Sequence, residues 1–101
     1  MNESDTLKTR ILVVDDEPGI VNVLRIKLRL SGFDVITTTS GAEAIELARN
    51  REPDIMLVDI LMPEVTGMDV IHKVREFSPV PIIVFTAKPD IAEYAYRVVS
   101  A

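Results

Sequence analysis

The fold is decided by the sequence ILVVDD at residues 11–16, an apolar run that ends in a pair of aspartates. A second run of the same kind, IMLVD at residues 55–59, also ends in aspartate. Near-continuous runs of Ile, Leu and Val are typical of strands buried in a parallel sheet. Open α/β sheets bind their ligands beyond the carboxyl ends of the strands. The sequence therefore predicts two neighbouring strands that bring Asp15, Asp16 and Asp59 together at one edge of a sheet.

Strand and helix patterns alternate along the rest of the chain. The predicted strands are about 10–15, 34–38, 54–59 and 81–85, and the predicted helices are 18–31, 41–51, 67–77 and a last one from about Pro89. By helical spacing, the expected core positions are Ile20, Val23, Leu24 and Leu28 on the first helix and Val70, Ile71, Val74 and Phe77 on the third. Ser40 with Glu43 predicts a capping box at the second helix. Serial βα units predict a parallel sheet with right-handed crossovers, and the more polar second strand suits its edge.

Composition narrows the class of protein. A chain of 101 residues suits one domain, which we predict at 10–101 after a polar leader at 1–9. The net charge of −5 argues against a nucleic-acid surface or a polybasic membrane anchor, and the lack of cysteine excludes disulfides and thiolate metal sites. No apolar stretch approaches the roughly 20 residues of a membrane span, and the N-terminus is too polar for a signal peptide. We therefore expect a cytoplasmic protein.

The spacing of the strands carries a further expectation. It places a fifth strand just beyond Ala101, so the sequence predicts either four βα units or a chain that stops before its last unit. In the second case the fourth strand is an open edge and one face of the sheet lacks a helix. We expect such a chain to self-associate or to exchange elements with a second copy through that edge.

Oxygen ligands without histidine or cysteine nearby favour Mg²⁺, Mn²⁺ or Ca²⁺ over zinc. Mg²⁺ typically takes one or two carboxylates and completes its coordination with water and substrate phosphate. A carboxylate can also act as the nucleophile and form an aspartyl phosphate. Thr86 directly follows the fourth predicted strand, which places a hydroxyl donor at the same edge, while Pro63 and Gly67 fit a tight loop after Asp59. The pattern indicates phosphoryl chemistry.

Each of these residues also has an ordinary structural interpretation. Asp16 or Glu17 could cap the first helix, and Asp59 and Thr86 could be loop or turn residues at strand ends. His72 is expected to be a solvated helix residue. Local structure alone explains each residue, but it does not readily explain why polar residues of this kind occur together at three strand ends. On the first helix, Arg25, Lys27 and Arg29 alternate with Ile26 and Leu30, which is compatible with a solvated face or with a second contact surface.

Three segments resemble the receiver domain of two-component response regulators. They are ILVVDDEP at 11–18, DIMLVDILMPEVTG at 54–67 and PIIVFTA at 81–87. The resemblance extends over residues 10–101. It implies a doubly wound, flavodoxin-like α/β fold, in which the family order 2-1-3-4-5 is reduced here to 2-1-3-4 by a missing fifth βα unit.

The resemblance also implies roles for the site residues. Asp59 resembles the phosphoacceptor that attacks a phosphohistidine on a sensor histidine kinase or phosphotransfer domain. Asp16 and Asp59 resemble direct Mg²⁺ ligands, with the backbone carbonyl of Leu61 as the third and Asp15 acting through metal-bound water. At the fourth strand, Thr86 and Ala87 resemble the residues that contact the phosphoryl group and couple it to the next loop. The domain would catalyse at most its own phosphorylation and dephosphorylation, and is not expected to be a multi-turnover enzyme.

Two alternatives remain at this point. The family has a lysine and a switch aromatic on its fifth strand, and no position of this chain matches either; Lys88 follows Thr86 too closely to be assigned the role of that lysine. The missing lysine favours a non-phosphorylated interaction module or an inactive fragment. A phosphatase of the haloacid-dehalogenase type also uses a strand-end aspartate, but such enzymes require Asp-x-Asp, and here Glu17 stands two residues after Asp15.

Overall fold

The structure is a computed structural model that describes residues 8–86. Four strands and three helices alternate along this part of the chain: β1 (Arg10–Val14), α1 (Pro18–Leu30), β2 (Asp34–Thr38), α2 (Gly41–Arg51), β3 (Ile55–Asp59), α3 (Gly67–Arg75) and β4 (Ile82–Phe85). The strands form one parallel sheet of order β2-β1-β3-β4, which confirms the predicted order. The predicted leader, Ala87, Lys88 and the helix from Pro89 lie outside the described residues, apart from the leader's last two positions.

The register aligns the carboxyl ends of the strands. Val14 of β1 pairs with Thr38 of β2 on one side and with Val58 of β3 on the other. Asp59, the last residue of β3, pairs with Phe85, the last residue of β4. Because the strands end level, the residues that follow them meet at a single edge of the sheet.

The core lies on both faces of the sheet because successive strand residues point to opposite faces. One face packs against α2 and α3 and contains Leu12, Val14, Met56, Val58, Ala44, Ala48, Val70 and Val74. The other packs against α1 and contains Ile11, Val13 and Val35, with Leu24 and Leu28 from the helix. Burial on both faces explains why β1 is an unbroken apolar run.

Helix α1 is rotated relative to the prediction. Val23, expected in the core, is 52% exposed, whereas Val21 is buried. Helical residues advance by about 100° each, so Val21, Leu24 and Leu28 share the sheet-facing side and Val23 lies on the far side. Ile26 and Leu30, at 54% and 83% exposed, extend the same outward surface. The helix therefore presents apolar side chains to solvent as well as to the core.

Helix α3 is shorter than predicted, and it carries a capping box that was predicted for α2 instead. It ends at Arg75 because the amides of Glu76 and Phe77 bond to carbonyls three residues earlier, which closes the last turn tightly. Phe77 is consequently part of the next loop, where its ring lies 4.6 Å below the guanidinium of Arg49. The capping box stands at the start of α3.

At that start, the Thr66 hydroxyl accepts from the Asp69 amide and the Asp69 carboxylate accepts from the Thr66 amide. The bond that the Thr66 amide donates to the carboxylate is the largest cause that lowers the pKa of Asp69. At α2, by contrast, Ser40 accepts from the Glu43 amide, but the described hydrogen bonds do not include the reciprocal one. The capping box predicted at Ser40 and Glu43 is therefore wrong, although Ser40 is the N-cap.

At the far side of the sheet, β4 pairs with β3 alone among residues 8–86, and its Ile83 is 55% exposed. Self-association through this edge stays a prediction. Within the same residues, none of the helices is both long and apolar enough to cross a membrane.

Candidate functional site

The three aspartates predicted to meet do so at the carboxyl edge of the sheet. Asp15 and Asp16 directly follow β1, and Asp59 is the last residue of β3. One carboxylate oxygen from each lies within 4.8 Å of the others. Asp15 is 1% exposed and Asp59 is 7% exposed, while Asp16 is half-buried. Two nearly buried carboxylates therefore face each other beside a third that reaches solvent.

Both buried carboxylates turn the chain at the end of their strands. The Glu17 amide donates to Oδ1 of Asp15 at 3.0 Å, and the Leu61 amide donates to Oδ1 of Asp59 at 3.1 Å. Such bonds from the residue two positions later are Asx turns. They fix the rotation of each carboxylate and begin the two loops that surround the site.

Neither Asp16 nor Glu17 caps the first helix with its side chain. Glu17 occupies the N-cap position of α1 without a side-chain capping bond, and Pro18 follows it in the first turn. Side-chain capping by Asp16 or Glu17 is therefore wrong. Helix α1 begins instead at a proline, whose missing amide hydrogen needs no partner.

The site is electrostatically unfavourable without a counter-charge. Burial raises the pKa of Asp15 to about 6, and the charges of Asp59 and Asp16 and a hydrogen bond with Asp59 add to this rise. The Glu17 amide opposes it by stabilising the ionised form. Such a cluster lowers stability when no cation is bound, and the three carboxylates lie close enough together to hold one in common.

The aspartates line a cleft of about 240 Å³. Its other walls are Glu17, Ile20, Leu61 and Thr86. Thr86, which follows β4, thus lies at the edge where the sequence predicted it, and Leu61, whose carbonyl the resemblance implied as a ligand, lines the same cleft. Glu17 and Ile20 are lining residues that the sequence did not predict; the available signal was that Glu17, next to Asp16, is the N-cap of α1 and that Ile20 lies in the first turn of this helix.

Gly67 sets the distance between α3 and the end of β3. It is the first residue of α3 and is buried. A Cβ atom at this position would overlap the carbonyl oxygen of Asp59 and lie 2.7 Å from the Cα of Ile60. Only glycine allows the helix to start so close to the backbone of the last strand residue. Gly67 therefore fixes the path of the chain through Asp59.

The residues present fit a hard divalent cation. Carboxylate and carbonyl oxygens are the ligands that Mg²⁺ and Mn²⁺ prefer, and the half-buried Asp16 keeps one side of the cleft open to water and to a substrate. Within residues 8–86, Asp15, Asp16 and Asp59 are the one group of three acidic, His or Cys side chains close enough to share a metal ion.

Comparison with known proteins agrees with this geometry. Residues 11–101 match the family model described as the response regulator receiver domain. The DNA-binding response regulator MtrA of Mycolicibacterium smegmatis is 42% identical over 89 residues, which are 88% of this chain and 39% of that protein. The transcriptional regulatory protein KdpE of Mycobacterium tuberculosis is 39% identical over 84% of this chain and 38% of its own length. The chain thus spans about two fifths of the curated relatives it matches.

Solved structures show the same architecture. The chemotaxis protein CheY4 of Vibrio cholerae superposes with a TM-score of 0.79 at 27% identity, over 93% of this chain and 82% of that one. The receiver domain of the histidine kinase CKI1 from Arabidopsis thaliana, in complex with Mg²⁺ and BeF₃⁻, gives a TM-score of 0.77 at 25% identity, over 97% and 79% of the two chains. Sequence, fold and site agree, and this chain belongs to the response regulator receiver domain family.

Proposed function

We propose that this chain accepts a phosphoryl group on Asp59 from the phosphohistidine of a sensor histidine kinase or phosphotransfer domain, in a reaction that requires Mg²⁺ or Mn²⁺. The observation that carries the proposal is the meeting of three carboxylates within 4.8 Å in a cleft that also contains Thr86. Metal ligands, a nucleophile and a hydroxyl donor then share one small space. The domain acts in the cytoplasm and is not a multi-turnover enzyme.

The chemistry follows from the roles of the residues. An oxygen of the Asp59 carboxylate attacks phosphorus, the new O–P bond forms as the P–N bond of the phosphohistidine breaks, and the imidazole nitrogen keeps the electron pair and takes up a proton. The Leu61 amide fixes the orientation of the attacking carboxylate. Thr86 donates to a phosphoryl oxygen, and Ala87, which lies outside the described residues, is proposed to couple this contact to the response.

Asp16, Asp59 and the carbonyl of Leu61 would hold the cation, with Asp15 acting through a bound water. The ion supplies positive charge that offsets the negative charge of the transferring oxygens. Its counterpart in a relative supports this assignment, because the CKI1 receiver domain carries Mg²⁺ together with BeF₃⁻, an analogue of a phosphoryl group.

The relatives also indicate where such a domain acts. MtrA is named a DNA-binding response regulator, and this chain spans 39% of its length. The net charge of −5 and the acidic cleft do not favour contact with nucleic acid. We therefore assign this chain to the input side of a regulator, with DNA binding left to other parts of such proteins.

The first prediction tests the phosphoacceptor. Incubation with Mg²⁺ and acetyl phosphate is expected to give one acid-stable, hydroxylamine-labile phosphate per chain, and Asp59→Asn is expected to lose it completely because an amide is not a nucleophile for phosphorus. Intact-mass spectrometry and hydroxylamine treatment measure the product.

The matched control is Asp54→Asn, which makes the same change at an exposed aspartate just before β3 and is expected to be phosphorylated like the unaltered chain. Absence of label in the unaltered chain would support the interaction module instead. Steady release of phosphate from a phosphoester would support the phosphatase.

The outer surface of α1 is the proposed docking face for the kinase. It presents Val23, Ile26 and Leu30 to solvent, and the helix carries three cations and no acidic residue between Pro18 and Leu30. Ile20 lines both the aspartate cleft and a neighbouring apolar cavity of about 400 Å³ on α1, so the two surfaces are continuous. A partner helix with apolar and acidic side chains fits this face and would bring its phosphohistidine to Asp59.

The second prediction concerns this face. Val23→Asp is expected to slow phosphotransfer from a purified histidine kinase by about 10-fold or more, because a charge replaces an apolar contact in the interface. Phosphorylation by acetyl phosphate should not change. Asn22→Asp, which adds the same charge at an exposed neighbouring position of α1, is the control and should transfer at close to the normal rate. An equal loss with both donors would contradict the docking role.

A further inference from the structure

The loop between β3 and α3, residues 60–66, carries Leu61 and is anchored at both ends. At its start, the Ile60 amide donates to the carbonyl of Phe85 at 3.0 Å, and the Leu61 amide donates to Asp59. Ile60 and Met62 are each 6% exposed, so their side chains hold the first half of the loop in the core. At its end, Thr66 is fixed by the capping box of α3. Little of this loop is free to adjust.

Its far half rests on Gly41, the first residue of α2. Gly41 is buried, and a Cβ atom there would lie 2.6 Å from the carbonyl oxygen of Val65 and 2.9 Å from its Cβ and Cγ1. Contacts this short require one partner to move. Val65 packs against the main core, which limits its retreat. A glycine at position 41 is therefore what allows the loop to lie against α2.

The backbone conformation of the loop at Glu64 is one that the residue would not adopt by itself, so the contacts at the two ends of the loop must impose it. Glu64 has φ of 61°, in the left-handed region that a non-glycine residue adopts at a cost of about 1 kcal/mol or more. Its side chain is exposed and adds no packing in return. Between buried Met62 and half-buried Val65 there are only Pro63, whose φ is fixed, and Glu64, which is already strained. A shift of Val65 reaches Leu61 to the extent that it displaces Met62, which lies between them and is held in the core.

From these contacts we infer that Gly41 is a positioning residue of the metal site, which acts through Val65 and the loop 60–66 on the carbonyl of Leu61. It touches neither metal nor phosphoryl group. The inference rests on the proposed function, because it assumes that Leu61 is a ligand. It makes the start of α2 a determinant of metal affinity.

The test is Gly41→Ala. We expect its affinity for Mn²⁺, measured by electron paramagnetic resonance, to fall about 10-fold, as is typical when a residue that supports a ligand is altered. In the metal-free protein, the ¹H–¹⁵N resonances of Leu61 and Val65 should shift together. The control is Gly19→Ala, in the first turn of α1, where an added Cβ meets nothing within 4 Å. It should leave Mn²⁺ affinity and those resonances unchanged.

Two further variants separate positioning from a general loss of structure. In Gly41→Ala/Val65→Ala, one of the three close contacts, that with Cγ1, is removed while those with the carbonyl oxygen and Cβ of residue 65 remain, so a small part of the lost Mn²⁺ affinity should return. If Gly41→Ala does not fold, Val65→Ala alone decides, because it loosens the same contact without a clash and should weaken Mn²⁺ binding about 3-fold.

Normal Mn²⁺ affinity in Gly41→Ala would overturn this inference and leave the proposed function untouched. If Gly41→Ala does not fold, normal Mn²⁺ affinity in Val65→Ala would do the same. Equal losses in Gly41→Ala and Gly19→Ala would also overturn it. Failure of the unaltered chain to bind Mn²⁺ would contradict the proposed function itself.

Discussion

Gly67→Ala is expected to weaken Mg²⁺ binding by at least about 10-fold and to destabilise the fold by about 1–3 kcal/mol. The added Cβ would overlap the carbonyl oxygen of Asp59 and approach the Cα of Ile60 to 2.7 Å. Both partners are backbone atoms, so no side-chain rotation relieves the clash. Either α3 or the end of β3 must move, and the second movement displaces the proposed phosphoacceptor.

Helix propensity predicts the opposite sign for this substitution. Alanine is favoured over glycine within a helix by about 1 kcal/mol, so the clash must exceed that gain for the variant to be less stable. Gly19→Ala isolates the propensity effect, because it is also in a first helical turn but has open space around it. We expect Gly19→Ala to be stabilised by up to about 1 kcal/mol, with unchanged Mg²⁺ affinity.

Urea unfolding and isothermal titration with Mg²⁺ measure the two effects. A Gly67→Ala protein as stable as Gly19→Ala would show that the backbone of Asp59 yields easily. Unchanged Mg²⁺ affinity would show that Gly67 does not position the site.

The fold and the acidic cluster could be predicted because they depend on the simplest patterns in the chain. Strands buried on both faces are continuous apolar runs, and β1 and β3 have that form. Parallel strands in register end at one edge, so the residues that follow β1, β3 and β4 had to meet there. This reasoning places Asp15, Asp16, Asp59 and Thr86 at one edge of the sheet, where the structure has them.

The orientation of α1 could not be predicted in the same way. Apolar residues surround much of this helix, so a helical spacing can be drawn through Val23 as well as through Val21. Only the packed structure shows that Val21 faces the sheet and Val23 faces solvent. The ambiguity has a physical origin, since a helix with apolar side chains on its core-facing and its solvent-facing sides has no single polar face.

The contacts that position the loop 60–66 beside the site could not be predicted from the sequence either. Gly41 and Val65 are 24 positions apart, and their contact depends on how α2 and the loop 60–66 come together in space. The capping box at Thr66 was missed because its acid is Asp69, whereas the usual pattern has Glu or Gln. Adjacent Asp15 and Asp16 differ in burial for a similar reason, because only the structure shows which of them points inward.

The difference in burial leads to the last prediction, which is that Asp15→Asn makes the metal-free protein more stable at neutral pH. The pKa of Asp15 is raised from 3.8 to about 6, chiefly by burial. At about 1.36 kcal/mol per pKa unit, ionising this carboxyl in the folded protein costs on the order of 3 kcal/mol. Asparagine carries no charge, and its Oδ1 can still accept the hydrogen bond from the Glu17 amide.

The sign of the pH dependence follows from proton binding. Between pH of about 4 and 6, the unfolded chain has released the Asp15 proton while the folded chain still holds it. The folded state thus binds more protons, and this group lowers the free energy of unfolding as pH rises through that interval. Above pH of about 6 the deficit is constant. The advantage of Asp15→Asn should therefore be absent below pH of about 4, grow up to about 6 and then remain level.

Mg²⁺ should reverse the order of the two proteins. A cation that binds only the folded state stabilises it by mass action, and the unaltered chain, with all three carboxylates, binds it more tightly than the variant does. Urea unfolding at several pH values, with and without Mg²⁺, measures each effect, and Asp54→Asn controls for the loss of one exposed negative charge. An equal gain in Asp54→Asn would attribute the stabilisation to net charge. If Asp15→Asn is no more stable than the unaltered chain at pH 7 without Mg²⁺, ionisation of the buried Asp15 carboxyl does not destabilise the fold. The argument that the cluster holds a cation to offset this cost then fails.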